Sequence, residues 1–414
     1  MIIFCKLDLT TQYQVENLDA LITRSIQQTE QVDIQFDRYL NEEINWNNRL
    51  IIIKGSRGVG KTTLLLKHIK QNNFKSTEVL YASLDDLWFN KYSIVQLGEW
   101  WVQQGGKKLL LDEVHKYEGW TREIKNLYDR FPKLQMVLTG SSAIEIIKGE
   151  GDLSRRSLVY NLQGLSFREF MQIENNLKLD SYTLEELLHN STEISNKISN
   201  KHKPLQHFNN YLKGGYYPFY KEDDKGYYQR IQQVIQLVME SDIPSIQHIE
   251  YSAVQMMKKL LIIIADLVPY KPNISKLSAQ VGLSRETLVK YLQYLSQAGI
   301  LQMLYSDTGG ISLLNKPEKI YLQNSNLAYA LSLNKPEKGA VRETFAMNQL
   351  SLKHQVAYPD KGDFLVDKKY LFEIGGKQKS QQQISGKKNA FVIADDIEIA
   401  LGNKIPLWML GFLY

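Results

Sequence analysis

Residues 55–62 read Gly-Ser-Arg-Gly-Val-Gly-Lys-Thr, fill the spacing G-x-x-x-x-G-K-[ST] completely, and follow directly on the apolar run Leu50-Ile51-Ile52-Ile53. A loop that cradles phosphate turns successive backbone N–H groups inward through angles that a Cβ obstructs, which accounts for Gly55, Gly58 and Gly60. Ser56, Arg57 and Val59 complete the cradle, Lys61 reaches the β and γ phosphates, and Thr62 holds Mg²⁺. The helix that follows, from Thr63 through Ile69, points its positive end at the anion. A strand before the loop and an amphipathic helix after it separate this reading from a chance Gly-rich turn. The expected ligand is ATP with Mg²⁺.

Outward from the loop, short β-rich runs alternate with helical patterns as far as about residue 165, the mark of an α/β parallel sheet covered on both faces. The expected strands are Leu50–Lys54, Val79–Leu84, Leu109–Asp112, Gln135–Thr139 and Leu158–Leu162. The first 45 residues read as helical packing upstream of this core and carry no assignable chemistry. From Phe167 to about Ile249 the pattern turns helical and resembles a lid, with the polar stretch His189–Lys203 expected to be an exposed linker or loop. Ile274–Gln297 predicts two short helices around Gly282-Leu283-Ser284, with Ser284 as N-cap and Gly299 ending the second. Ile300–Tyr305 and Ile311–Leu314 then predict a hairpin, and the set reads as a winged helix-turn-helix. Mixed patterns beyond Pro317 suffice for a third, small α/β domain. The expected division is 1–165, 166–250, 251–322 and 323–414.

Composition narrows the class of protein. At 414 residues, with 43% hydrophobic and 23% charged side chains, the chain is long enough for two or three domains and is neither disordered nor collagen-like. A net charge of +5 is compatible with nucleic-acid contact without arguing for it. Cys5 alone permits no internal disulfide, and seven scattered histidines offer no metal-ligand spacing. The apolar run Leu260–Ala265 lies between Lys259 and Asp266 and reads as a buried helix; no segment has bilayer-spanning length, and Met1–Cys5 is too short for a secretory signal. The expected compartment is the cytoplasm, with no membrane association.

About fifty residues after the loop, Lys108-Leu109-Leu110-Leu111-Asp112-Glu113 ends an apolar strand in two acids. Asp112 suits contact with Mg²⁺, directly or through water, and Glu113 suits a general base that polarises the attacking water. The pair therefore argues for hydrolysis, where an Asp alone supports binding; an acidic cap on a buried strand is the competing reading. The fourth strand ends in Thr139-Gly140-Ser141-Ser142, where Ser141 first, then Thr139 and Ser142, suits a sensor of water or γ-phosphate. Arg155 or Arg156, in Leu153-Ser154-Arg155-Arg156, suits a finger supplied in trans, although two arginines before a strand equally suit a solvated surface.

Taken in order, these motifs and Gln163-Gly164-Leu165-Ser166-Phe167-Arg168-Glu169-Phe170 resemble the prokaryotic AAA-type ATPases that carry a C-terminal domain of unknown function, relatives of archaeal ATPases and STAND NTPases. The resemblance spans nearly the whole chain. It implies an ASCE P-loop core with strand order 5-1-4-3-2, a helical lid, a winged helix and a restriction-endonuclease-like domain. It also implies an adenine contact near Gly214-Gly215-Tyr216-Tyr217-Pro218, with Pro218 one residue later than in such relatives. The C-terminal region resembles the PD-(D/E)xK nucleases through Glu343, Asp363 and Glu373, but Gly375 stands where that pattern has lysine. Lys377 or Lys379 would have to reach back, so the domain is read as degenerate and non-cutting. On the expected winged helix, Arg285, Lys290 and Tyr291 are expected to be exposed beside an apolar Leu288/Leu292/Leu295 face, and Glu286 dilutes the basic signal. The leading expectation is an ATP-hydrolysing enzyme acting on double-stranded DNA as a homo-oligomer, which a ring would fit. A STAND-like nucleotide switch and an ATP-regulated nuclease are the alternatives.

Overall fold

The computed structural model describes residues 9–33, 36–140, 153–223, 225–244, 249–307 and 316–414. It divides into two compact units: residues up to Ser56 with Gly60–Leu162, and Arg57–Val59 with Gln163–Tyr414.

The first unit carries five parallel strands, β1 (Leu50–Lys54), β2 (Val79–Ser83), β3 (Lys108–Asp112), β4 (Gln135–Gly140) and β5 (Leu158–Asn161). Their order is β2-β3-β4-β1-β5, the expected 5-1-4-3-2 read from the other edge. Leu50–Ile53 and Leu109–Leu111 are wholly buried, which is why these strands are continuous apolar runs without alternation. At the edge, β5 leaves Leu158 and Val159 exposed. Ser93 and Gln96 form a reciprocal capping box at the start of helix Ile94–Gln103. That helix lies close to helix Trp120–Arg130, because a Cβ on Gly98 would sit 2.5 Å from Leu127 Cδ2. The N-terminal helix Leu9–Gln31 contributes Ser25, whose hydroxyl accepts the Tyr81 N–H at 3.1 Å.

In the second unit, helices Phe167–Asn175, Leu184–His189, Ser191–His202, Pro204–Gly214 and Tyr227–Leu237 occupy the expected helical region. The stretch expected as a loop is thus largely a helix, Ser191–His202. Its buried face is Ser191, Ile194, Ser195, Ile198 and Ser199, a helical repeat in which serine replaces the usual apolar residue. These serines are polar by composition yet small enough to pack closely, and Ser195 Oγ accepts the Ala400 N–H at 3.1 Å. The motif at 165–170 also resolves structurally: Ser166 and Glu169 form a capping box, and the Arg168 guanidinium donates to the carbonyls of Tyr414 (2.8 Å) and Leu179 (3.0 Å).

Helix Tyr251–Leu267 buries Leu260, Leu261, Ile264 and Ala265 as its apolar run requires. Helices Ile274–Val281 and Arg285–Gln297 follow, the second capped by Ser284. Next, β6 (Leu301–Leu304) pairs antiparallel with β7 (Lys319–Leu322). The expected partner strand Ile311–Leu314 lies outside the described residues, and Glu318 and Lys319 hide β7 from a reading based on hydrophobic runs. After helices Ser325–Leu331 and Lys338–Leu350 comes a mixed sheet of β8 (Val356–Ala357), β9 (Phe364–Val366), β10 (Tyr370–Gly375), β11 (Ala390–Ala394) and β12 (Lys404–Pro406), ordered β12-β11-β10-β9-β8. The β10, β11 and β12 strands run parallel, and β8, β9 and β10 alternate. Among the described residues no helix is long and apolar enough to cross a membrane.

Candidate active site

The phosphate-binding loop leaves β1 at Lys54 and enters helix Lys61–Gln71 through Gly60, whose φ of 95° lies in the left-handed region. Lys61 Nζ donates to the carbonyls of Gly55 (2.9 Å) and Ser56 (3.0 Å). Arg57–Val59 group with the second unit, where Arg57 Nη1 lies 3.4 Å from Asp242 Oδ1.

Asp112, at the end of β3, is the hub of the first unit's polar site and is only 1% exposed. Its Oδ2 accepts the Thr62 hydroxyl at 2.5 Å and the Tyr81 phenol at 2.9 Å. Its Oδ1 accepts the Thr139 hydroxyl and, at 3.2 Å, the backbone N–H of Glu113. Sheet register explains the convergence. Leu111 pairs with Leu138, so Thr139 follows across from Asp112 on the neighbouring strand. Tyr81 pairs with Leu110, which places it diagonally from Asp112 on the same face, within a tyrosine's reach. Burial, followed by the Asp112 carboxylate, raises the Tyr81 phenol above its ordinary pKa and keeps it a neutral donor. Tyr81 is absent from the expected site residues; its signal is a hydroxyl within the otherwise apolar, buried Val79–Ala82 run.

Glu113 has φ 56°, a left-handed backbone unusual for a residue with a side chain, and His115 Nε2 lies 3.5 Å from Glu113 Oε2. A hydroxyl and a carboxylate form an oxygen donor set that suits Mg²⁺, which takes few protein ligands and completes its shell with phosphate and water. Thr62 and Asp112 fit that cation. No group of three or more His, Cys, Asp or Glu among the described residues is disposed to hold a metal ion.

Of the remaining expected residues, Ser141 and Ser142 lie outside the described residues. Arg155 is exposed, whereas Arg156 donates to Asp129 Oδ1 through Nη2 at 3.2 Å. Pro218 opens the short helix Pro218–Lys221 in the second unit.

The second unit gathers its own carboxylates. Lys319 Nζ donates to Glu343 Oε2 at 2.8 Å and to Asp363 Oδ1 at 3.1 Å, and Tyr321 OH donates to the same Glu343 oxygen at 2.9 Å. Asp363 Oδ2 accepts the Ile374 N–H at 2.9 Å. Glu373, 1% exposed on β10, is paired with Lys379, so Lys379 does reach back past Gly375. Burial pushes the Glu373 carboxyl up from its ordinary pKa, against the Lys379 hydrogen bond. Burial also opposes the charge on Lys319, but Glu343 and then Asp363 outweigh it and raise the ammonium's pKa.

Comparison with known proteins adds two family models: an AAA domain matches residues 47–171, and a domain of unknown function (DUF8612) matches residues 205–338. A protein of Methanocaldococcus jannaschii described as uncharacterized, MJ1637, is 25% identical, over 91% of this chain and 86% of its own. Similar solved structures include PCH-2 of C. elegans (17% identity, 39% of this chain and 45% of that one, TM-score 0.24). Another is AMPPCP-bound DnaA of Aquifex aeolicus (18% identity, 62% and 84% covered, TM-score 0.24). The AAA-domain match takes in the phosphate-binding loop, the acidic pair and Thr139 in a single span, and the first unit has the α/β architecture of a P-loop ATPase core.

Proposed function

We propose that this protein is an ATP-hydrolysing AAA-type enzyme whose nucleotide cycle moves its winged-helix and C-terminal domains on double-stranded DNA. The observation that carries the hydrolytic part is the clamp on Asp112. Four neutral donors hold its carboxylate in one orientation, beside Thr62 and one residue before Glu113. In this reading Lys61 carries positive charge to the β and γ phosphates, Thr62 and Asp112 hold Mg²⁺, and Glu113 accepts the proton of the attacking water. Bound Mg²⁺ neutralises phosphate charge. Replacing Glu113 with Gln keeps the shape and removes the base. Glu113→Gln is expected to bind ATP as the parent does while turnover falls about 10²-fold or more. Full turnover in that variant sinks the assignment, and one slow cycle in the parent favours the nucleotide switch.

For the domains we propose lid, winged helix and nuclease-like regions at 166–250, 251–322 and 323–414. On helix Arg285–Gln297, Leu288, Leu292 and Leu295 are buried while Arg285 and Lys290 are exposed and Tyr291 is half-buried, which supports a phosphate-contacting face. Pro218 is proposed as the adenine contact. For the finger we propose Arg155, because it is exposed while Arg156 is engaged with Asp129. Mixing Lys61→Ala subunits with Arg155→Ala subunits is then expected to restore ATPase activity that neither has alone; no recovery at any ratio counts against action in trans.

A further inference from the structure

The resemblance of the C-terminal region to PD-(D/E)xK nucleases implies a divalent metal on Glu343, Asp363 and Glu373, and the residues present do not fit one. Glu343 and Asp363 share the Lys319 ammonium at 2.8 and 3.1 Å, and Glu373 is paired with Lys379. No metal-holding group of three acidic or imidazole side chains occurs among the described residues. Lys319 is no surface lysine that has swung in, since its side chain is 8% exposed. It is anchored on β7, two residues before Tyr321, whose hydroxyl lies on the same Glu343 oxygen.

We propose that Lys319 is the resident cation of this site, its ammonium standing where a divalent metal would stand. The space between the carboxylates is thereby filled and one of their two charges offset from within the chain, and the domain is closed to metal and to metal-dependent cutting. A half-buried carboxylate pair stripped of its shared cation is disfavoured, and another cation is what relieves it. Removing Lys319 therefore opens a metal site that the natural chain does not have.

The test uses Mn²⁺ and the full chain without nucleotide, reading bound Mn²⁺ by electron paramagnetic resonance and the melting midpoint by circular dichroism. The parent is expected to hold no Mn²⁺ that Asp363→Asn removes, and its midpoint to be indifferent to millimolar Mn²⁺. Lys319→Met is expected to melt several degrees lower, to bind one additional Mn²⁺, and to regain its midpoint with the metal; adding Asp363→Asn abolishes both gains. Parent Mn²⁺ that is lost on Asp363→Asn overturns the proposal, as does a folded Lys319→Met protein that gains no Mn²⁺. The parent measurement decides the matter even where Lys319→Met does not fold. Mn²⁺- or Mg²⁺-dependent cleavage of plasmid DNA by the parent, lost on Asp363→Asn, overturns it equally.

Discussion

Two carboxylate sites in this chain, one buried and one half-buried, are satisfied in opposite ways. Among the described residues the donors to Asp112 are neutral: two hydroxyls of threonine, a phenol and a backbone N–H. Around Glu343 and Asp363 the shared donor is an ammonium. Neutral donors orient a carboxylate and leave its charge in place, so the first site still attracts a cation. An ammonium orients and offsets charge at once, so the second has one negative charge where two carboxylates would carry two. Acidic residues alone do not mark a metal site; the charge of what they already hold decides.

The largest expected contrast comes from removing one charge at each site. Asp112→Asn is expected to lower ATP turnover by about 10²-fold or more, because the carboxylate proposed to hold Mg²⁺ is lost. Asp363→Asn is expected to leave turnover within about twofold and to lower stability by about 1–3 kcal/mol, since the buried Lys319 loses one of its two carboxylate partners. Parallel steady-state assays and urea titrations measure both, and a matching collapse of turnover in the two variants breaks the comparison. A smaller effect sharpens it. Tyr81→Phe deletes one neutral donor and keeps the ring, so half-saturating Mg²⁺ is expected to rise by about tenfold, the equivalent of about 1.4 kcal/mol. ATP affinity measured in EDTA should stay unchanged. Equal losses with and without Mg²⁺ mean that Tyr81 merely packs.

Legibility in the sequence followed the distance over which each feature is built. The loop and its strand are one continuous segment, so spacing and apolar runs located them and the sheet strands closely. Thr139 ranked behind Ser141 on sequence grounds, yet register sets it across from Asp112, and register is a property of two strands together. Tyr81 was hidden for the same reason. Lys319 precedes its two carboxylates by 24 and 44 residues, and no local pattern announces a lysine that turns inward from a short strand. In helix Ser191–His202 polarity argues for exposure, yet its serines face inward at helical spacing. Gly375 stands where the nuclease pattern has lysine, and the ammonium groups beside the carboxylates come from Lys379, four residues on, and from Lys319 on β7.

The left-handed backbone at Glu113 sets folding and chemistry against each other at one position. Glycine rests there freely, whereas a side chain costs about 1–2 kcal/mol. Evolving this protein for heat resistance alone would reward replacement of the very residue assigned to activate water, and the toughest descendants would be the idle ones. Breeding for endurance would need a turnover screen at each round.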